Sequence, residues 1–445
     1  MTNPSGFTTQ GTSSTGESSS TTEEDTSTSS TTAESTSTTE DETTTSSTTD
    51  SCPPGSEGCD CLEDMTCDGD LECTDGTCEM ASETTTSTTD ADPFCGDGIP
   101  VADELCFAPP VTLGMGSGPA AVLAEDINGD SFADVVCANS SSNNLTTRLY
   151  SDGNTFGSLA ALIAGTTPSH IIAANINGDA FVDLVAANRG SNNLSIFIGM
   201  GDGKFMPQTT VAAGMQPRAL VAADVNGDNF DDVIAVNAAN NNIGLFAGDG
   251  VGLLDMVGFA VGTTPVDLAV GEFNGDGNLD VITANNGSSN LSLVVGNGQG
   301  NFGAPTSIAA GGAPSGIAVG DINGDQKPDL VVSIPASNSV VVMLGAGFGM
   351  FSPGVPFTTG AGPSDVALVD MTLDGVLDIV ASNAGDNTVA ILRGNGQGGF
   401  SVAEPFAVGM APAALAIGDF NGDDVPDIAT ADGAASTVTV LLTDP

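Results

Sequence analysis

The residues best suited to chemistry are acidic and amide side chains that recur in nine-residue segments. Seven such segments, which we call acidic loops 1 to 7, begin at Asp126, Asn175, Asp224, Glu272, Asp321, Asp370 and Asp419. Positions 1, 3, 5 and 9 of each loop offer side-chain oxygens, and the backbone carbonyl at position 7 can join them. Hard oxygen donors at alternating positions of a tight turn are the ligands that Ca²⁺ takes.

The sequence therefore predicts up to seven calcium sites. Loop 2 has Asn175 in place of the first Asp, and loop 6 has Thr372 in place of the Asn, so these two loops should bind most weakly. The alternative is a plain turn with solvated carboxylates, but repeated clusters of like charge favour a cation. The predicted ligands are Asp126, Asn128, Asp130, Phe132, Asp134; Asn175, Asn177, Asp179, Phe181, Asp183; Asp224, Asn226, Asp228, Phe230, Asp232; Glu272, Asn274, Asp276, Asn278, Asp280; Asp321, Asn323, Asp325, Lys327, Asp329; Asp370, Thr372, Asp374, Val376, Asp378; and Asp419, Asn421, Asp423, Val425, Asp427.

The spacing of the loops indicates the fold. Successive loops start 49, 49, 48, 49, 49 and 49 residues apart, and a proline stands seven residues before each start. Each unit holds four short apolar segments, which in the fifth unit are residues 315–319, 329–333, 340–344 and 351–358. Four strands per unit of this length form one propeller blade, whereas a parallel β-helix needs a shorter repeat. The sequence predicts an all-β, seven-bladed β-propeller over residues 107–445.

The two ends of the repeat array are complementary. The seventh unit supplies three strands only, at residues 413–417, 427–430 and 437–442. Residues 107–114, ahead of the first unit, match the fourth strand of other units, such as residues 406–409. We therefore expect the N-terminal strand to complete the last blade, which would leave no open sheet edge.

The segments before the propeller differ in composition. Residues 1–51 are rich in Ser, Thr and Glu and predict a disordered stalk; residues 81–94 predict a flexible linker. Residues 52–80 hold six cysteines and almost no apolar residues, which favours a disulfide knot over a zinc site because no His or CxxC pair lies there. Cys95 and Cys106 should close a small loop over residues 95–106, and Cys137 should be a buried free thiol.

With these motifs the chain resembles the FG-GAP (VCBS-type) repeat family, whose propellers occur in integrin α-chain heads and bacterial surface proteins. The resemblance covers residues 107–445 and includes Phe156-Gly157, Phe302-Gly303 and the glycine-rich hairpin at residues 296–300. Residues 95–106 also resemble cysteine-rich modules of bacterial cell-surface proteins. The family resemblance implies calcium on the face opposite the ligand surface, and a role in adhesion or scaffolding.

Composition narrows the function classes. The net charge is −51, with 57 acidic and six basic residues, so binding to nucleic acid or to anionic membranes is not expected. No apolar stretch is long enough for a transmembrane helix. The cysteine density predicts an extracellular or cell-surface location, although the sequence from Met1 has no recognisable secretion signal.

The ligand surface is predicted opposite the acidic loops. Loops rich in Asn and Ser lie there, together with His170, Arg189 and Arg218, which suggest a small anion-binding patch. We predict an adhesion, protein-interaction or scaffold module that binds a protein or glycan on this face. The alternatives are a lectin, which the absence of Trp disfavours, and a polysaccharide-degrading enzyme, which a single His disfavours. No catalytic residue is predicted.

Overall fold

The computed structural model describes residues 71–74, 77–80, 105–151 and 155–443. The predictions for the stalk, the linker, Cys95 and most of the cysteine-rich segment lie outside these ranges. Within the cysteine-rich segment, Leu71–Thr74 and Thr77–Met80 pair as an antiparallel hairpin. No helix in the described ranges is long and apolar enough to span a membrane.

Residues 107–443 form seven four-stranded antiparallel sheets, one per repeat unit, which confirms the seven-bladed propeller. The first strands, nearest the axis, are Pro119–Glu125, Pro168–Ala174, Pro217–Ala223, Pro265–Gly271, Gly316–Gly320, Pro363–Val369 and Pro412–Gly418. The second strands are Asp134–Asn139, Asp183–Asn188, Asp232–Asn237, Asp280–Asn285, Asp329–Ile334, Asp378–Asn383 and Asp427–Asp432.

The outer half of each blade consists of the third and fourth strands. The third strands are Asn144–Arg148, Asn193–Phe197, Asn242–Phe246, Asn290–Val294, Ser339–Met343, Thr388–Leu392 and Thr437–Leu441. The fourth strands are Ala160–Ile163, Thr209–Ala212, Val257–Ala260, Thr306–Ala309, Val355–Thr358, Glu404–Ala407 and Val111–Gly114. Two-stranded hairpins, Tyr150–Ser151 with Thr155–Phe156 and Gly345–Gly347 with Met350–Phe351, and one 3₁₀ turn, Pro335–Ser337, complete the described elements.

Burial follows the position of each strand in its blade. All six residues of every second strand are buried, because both faces of that strand contact a neighbouring blade. These strands are therefore mostly apolar rather than alternating. Fourth strands lie at the rim, and one residue of each packs inward while the others face solvent. Cys137, on a second strand, is buried and free, as predicted.

The N-terminal strand closes the ring. Val111–Gly114 pairs with Thr437–Leu441, with Val111 opposite Val440. The Arg148 guanidinium of the first blade donates hydrogen bonds to the Gly114 carbonyl from Nε and Nη2, at 3.2 and 2.8 Å. The last blade is thus built from both ends of the propeller, as the sequence predicts.

One predicted strand is shorter than expected. The fourth strand of the fifth blade begins at Val355 and not at Phe351, which instead pairs with Gly345 in a small hairpin. The Ser352 N–H donates to the Leu344 carbonyl at 2.8 Å, and Pro353 then lacks the N–H needed to extend the ladder.

Candidate metal centres

All seven acidic loops occupy equivalent places. Each loop follows the first strand of its blade, and its position 9 is the first residue of the second strand. Since the connections are equivalent in every blade, the seven loops lie on one face of the propeller. The opposite face is formed by the turns with the seven prolines and by the loops between second and third strands; we call it the proline face.

The position-9 carboxylates are the most buried groups of the loops. Each has no solvent-exposed surface. One oxygen accepts the position-2 N–H at 2.8–3.2 Å. The other accepts the N–H of a residue sixteen positions further along the chain at 2.6–2.9 Å. The fold therefore holds seven carboxylates in fixed positions beneath the loops.

The charge of these carboxylates is not balanced by neighbouring cations. Burial raises the pKa of Asp134 and Asp427 to about 7 and that of Asp232, Asp280 and Asp378 to about 6, and it also raises the pKa of Asp183 and Asp329. Other carboxylates of the same loop raise these pKa values further, and backbone N–H groups oppose the shift. No basic side chain is among the groups that change them most.

The position-1 carboxylate organises the turn. In loop 1 the Asp126 Oδ1 atom accepts three backbone N–H groups, and Oδ2 accepts that of Ser131 at 2.7 Å. Ser131 has a φ of 74°, a left-handed conformation in which its N–H points at Asp126. Loops 3, 5, 6 and 7 repeat the bond from position 6 to the position-1 oxygen.

Loops 2, 5 and 6 differ from loop 1 in the side chains around their ligand oxygens. In loop 2 the Asn175 amide donates to the Asp179 carbonyl at 2.8 Å, and position 6 is not left-handed. In loop 6 Thr372 is buried and offers a hydroxyl in place of an amide oxygen. In loop 5 the Lys327 ammonium lies 3.0 Å from Asp325 Oδ2, so this loop carries its own competing cation. The sequence analysis predicted weak binding for loops 2 and 6, but it did not identify the Lys327 ammonium as a competing cation.

The fit to calcium rests on the chemistry of the donors. Each loop combines carboxylate and carbonyl oxygens, and no nitrogen or sulfur ligand is needed. Among the described residues, no three Asp, Glu, His or Cys side chains are arranged to hold a metal as they stand. The carboxylates of positions 1 and 5 are turned toward backbone N–H groups, as for Asp130, which accepts the Phe132 N–H at 3.1 Å.

The sequence did not reveal the residues whose N–H groups bind the second oxygen of each position-9 carboxylate. In five blades the donor sixteen residues on is a glycine: Gly199, Gly248, Gly296, Gly345 and Gly394. A Cβ atom there would lie 2.1–2.5 Å from the position-8 carbonyl oxygen, closer than any real contact. These glycines could have been identified in the sequence, because each lies sixteen residues after position 9.

This close approach gives a first prediction. Gly345→Ala should lower the free energy of unfolding by about 1–3 kcal/mol, because the Cβ atom would clash with the Pro328 carbonyl, 2.2 Å away. Gly252→Ala is the matched control, since nothing lies within 4 Å of its Cβ position. Urea denaturation compares the two, and equal stability of both variants would contradict this role for Gly345.

The predicted patch of His170, Arg189 and Arg218 lies on the proline face. Arg189 follows the second strand of blade 2, and Arg218 is the second residue of the first strand of blade 3. His170 lines the central channel, and its Nδ1 atom accepts the Leu220 N–H at 3.4 Å. Burial lowers the pKa of His170 to about 4. The two arginines therefore carry the positive charge of the patch at neutral pH.

The channel also contains a pair of carboxylates that the sequence analysis did not single out. Asp267 and Asp365, two residues after the prolines of blades 4 and 6, line it together with His170. Burial raises the pKa of Asp267 to about 7 and that of Asp365 to about 6, and the Asp365 charge raises the pKa of Asp267 further. Each accepts an N–H of the following blade, from Ile317 at 2.9 Å and from Leu415 at 3.1 Å.

Comparison with known families gives the class of the protein. The FG-GAP-like repeat model matches six overlapping segments: residues 126–186, 175–235, 224–283, 272–332, 321–381 and 370–430. Each segment runs from one acidic loop through the next. The protein is a seven-bladed β-propeller of repeated blades, and the chain belongs to the FG-GAP-like repeat family. No curated protein matches the sequence significantly.

Solved structures with the same fold have diverse roles. They include BBS1N in complex with ARL6DN (14% identity, TM-score 0.55, covering 77% of this chain and 98% of that chain). Virginiamycin B lyase from Staphylococcus aureus is similar at 14% identity and a TM-score of 0.53, covering 75% and 99%. A lectin from Agrocybe aegerita that recognises terminal N-acetylglucosamine is 16% identical, with a TM-score of 0.50 over 77% and 96%. At these identities the likeness concerns the fold alone.

Proposed function

We propose that the chain is an extracellular, non-enzymatic binding or scaffold module whose propeller is stabilised by calcium in the acidic loops. The observation that carries this proposal is the set of seven fully buried position-9 carboxylates with no cation among their principal electrostatic neighbours. Burying so many like charges is costly unless they are neutralised. Divalent cations would neutralise them without any basic side chain.

The residues of loop 1 illustrate how calcium would be held. Asp126, Asn128, Asp130 and Asp134 would supply side-chain oxygens, and the Phe132 carbonyl would supply a backbone oxygen. Bound calcium would link the end of the first strand to the start of the second. Loops 1, 3, 4 and 7 should bind most strongly, because loops 2 and 6 lack one ligand type each and Lys327 competes in loop 5.

A protein ligand on the proline face is the favoured interaction. The calcium loops occupy the other face in this proposal, so ligand binding would not have to disturb them. A glycan ligand is the second candidate, supported by the Asn- and Ser-rich loops at residues 139–144, 188–193 and 285–290. A glycan array separates the two. Saturable binding of one glycan class would replace the protein-ligand proposal by the lectin proposal.

Among the described residues, the contacts of the carboxylates and of His170 support a non-enzymatic role. In the described residues, the patterned carboxylates belong to the acidic loops or accept backbone N–H groups in the channel. His170 is neutral and uses Nδ1 to accept a backbone N–H. The extracellular location is proposed from the cysteine-rich segment.

The single tyrosine allows a site-resolved test of metal binding. Tyr150 is 2% exposed, and the centre of its ring lies 5.8 Å from that of Phe132 in loop 1. Burial raises the pKa of Tyr150, and the acids of loop 7 raise it further, so its hydroxyl lies near loop 7. The chain has no tryptophan. Terbium, which accepts similar oxygen ligands, should therefore luminesce on tyrosine excitation only when bound in loop 1 or loop 7.

We expect saturable, calcium-displaceable terbium luminescence. Asp130→Asn and Asp423→Asn, each at position 5, should weaken the apparent affinity by about tenfold at the affected loop because a charged ligand is lost. Asp228→Asn, the same change in loop 3, should leave the signal unchanged. The absence of calcium-displaceable luminescence, or equal loss in all three variants, would refute metal binding in these loops.

A further inference from the structure

The charges of the propeller are distributed unevenly between its faces. Residues 107–445 contain 33 acidic residues, yet the segments that form the proline face in blades 1 to 5 contain none. These segments are residues 115–119, 139–144, 164–168, 188–193, 213–217, 237–242, 261–265, 285–290, 310–314 and 335–338. The acids of the corresponding segments in blades 6 and 7 are Asp386 and Asp432.

Arg189 lies in one of these acid-free segments, and Arg218 directly follows another, residues 213–217. The Arg189 N–H donates to the Thr167 carbonyl at 3.0 Å. Two residues further on, the Ser169 hydroxyl lies 2.9 Å from the Pro217 carbonyl oxygen and 3.1 Å from that of Arg218. The short segment 167–169 therefore joins the two arginine backbones, although they belong to neighbouring blades.

Neither arginine forms an ion pair with a described residue. The ion pairs of the described residues are Lys204–Asp202, Lys327–Asp325 and Arg393–Glu404. Arg148 donates to the carbonyl oxygens of Gly114 and Gly157. In a chain with 57 acids and six basic residues, two adjacent arginines without an acidic partner are unusual, since chance would favour pairing.

Arg218 is partly desolvated as well as unpaired. Arg218 is half-buried, whereas Arg189 is exposed. Burial is the main factor that lowers the pKa of Arg218, and the nearby Arg189 charge lowers it further. Asp267 opposes this shift without forming an ion pair with Arg218; its oxygens accept the N–H groups of Leu268 and Ile317.

We infer that Arg189 and Arg218 form a recognition site on the proline face for a carboxylate group of a protein ligand. A guanidinium matches the planar geometry of a carboxylate and can bind it through two parallel hydrogen bonds. An anion between the two arginines would relieve their mutual repulsion and supply the partner that Arg218 lacks. This inference deepens the proposed function by naming the chemistry of the ligand.

The charge of the whole molecule restricts the ligand further. A net charge of −51 repels extended polyanions such as acidic polysaccharides and nucleic acids. It attracts a partner with net positive charge, and the arginine pair then selects a position where that partner presents a single carboxylate. The expected ligand is therefore a basic protein segment with one Asp, Glu or C-terminal carboxylate.

The four arginines make a direct test possible. The full chain with ¹⁵N-arginine gives four side-chain Nε–H signals, from Arg148, Arg189, Arg218 and Arg393. Arg189→Gln and Arg218→Gln assign two of them. We would titrate N-acetylglycine, a minimal peptide carboxylate, and in parallel N-acetylglycinamide and inorganic phosphate. The signals of Arg189 and Arg218 should shift saturably with the carboxylate and not with the amide.

The variants test whether the two arginines act together. Arg218→Gln should weaken the response of Arg189 by about tenfold or more, as expected for loss of a charge-assisted hydrogen bond. Arg393→Gln, with the same change in net charge, should leave it unchanged. No shift of either signal, an equal shift with the amide, or a stronger response to phosphate than to carboxylate would overturn the inference.

The titration is also independent of the calcium proposal. We would repeat it in calcium-free buffer at a temperature where circular dichroism shows that the protein is folded. A carboxylate response in a protein that binds no terbium would retain this site and remove the calcium stabilisation. Terbium binding without a carboxylate response would retain the metal sites and remove the arginine site.

Discussion

Removing calcium from the protein at neutral pH is expected to lower its melting temperature by about 10 °C or more. Extracellular calcium modules bind with a Kd of roughly 10⁻⁴–10⁻³ M. At 10 mM calcium, each loop of this affinity adds about 1.4–2.7 kcal/mol to the free energy of unfolding. Even the four loops expected to bind best would together match the about 5–15 kcal/mol that stabilises a typical domain.

Calorimetry of the full chain in calcium and in EGTA, at equal ionic strength, measures this difference. Magnesium at the same concentration is the control, because Mg²⁺ is the smaller ion and requires strict octahedral coordination, which these loops provide poorly. The melting temperature should follow calcium concentration and recover when calcium is restored. Identical melting in calcium, magnesium and EGTA would refute calcium stabilisation.

The calcium-free protein should also respond to pH in an unusual direction. Burial raises the folded pKa to about 6 or 7 for Asp267 and for five position-9 carboxyl groups, and it raises that of the other two as well, above the value of 3.8 for an ordinary Asp side chain. Between these values the folded state binds more protons than the unfolded state, so stability falls as pH rises from about 4 to about 7. Acid should therefore stabilise the calcium-free protein.

Calcium should reverse this dependence, because the metal binds the ionised carboxylates and acid displaces it. Melting temperatures at pH 5 and pH 8, in resin-treated buffer with and without added calcium, give the two slopes. The calcium-free protein should melt higher at pH 5, and the calcium-loaded protein should melt higher at pH 8. A calcium-free protein that melts higher at pH 8 would contradict the unbalanced charge of the loops.

The propeller could be predicted from the sequence because every blade carries its own local signals. A proline sets the start of the first strand, and the Asn-Gly-Asp turn sets its end, as at Pro119 and Gly129. Both signals act within about ten residues. The proline recurs in every unit, and the Asn-Gly-Asp turn recurs in all but the sixth, which has Thr372-Leu373-Asp374 instead. Regular spacing then determines the number of blades without any knowledge of long-range contacts.

Contacts between blades were harder to predict. Arg189 and Arg218 are 29 residues apart, and Asp267 and Asp365 are 98 residues apart, yet Arg189 lowers the pKa of Arg218 and Asp365 raises that of Asp267. Only the ring geometry brings them together. Similarly, the need for glycine at Gly345 comes from the packing of a hairpin against Pro328, which no turn rule contains. Local patterns determined the architecture, and the ring determined which side chains share a site.

Ring closure provides the second large effect. Deleting residues 1–114, which removes the fourth strand of blade 7, should abolish cooperative unfolding or lower the melting temperature by about 15 °C or more. The deletion would expose the edge of Thr437–Leu441 and uncover buried Val438 and Val440. Deleting residues 1–104 is the matched control, and we expect this variant to melt within about 2 °C of the full chain.

A point variant separates strand loss from the loss of the N-terminal segment. Leu113→Ala removes a side chain that is 7% exposed in the core between blades 7 and 1, and should cost about 2–5 kcal/mol. Thr112→Ala, on the solvent side of the same strand, should cost less than about 0.5 kcal/mol.

A synthetic peptide of residues 105–116 tests closure in trans. Added to the protein that lacks residues 1–114, it should restore the melting temperature, because its backbone can pair with the exposed third strand as Val111 pairs with Val440 in the intact ring. A peptide with Leu113→Ala should restore it less. If the shortened protein melts like the control without any peptide, the ring does not depend on this strand, and its stability must come from contacts between the other blades alone.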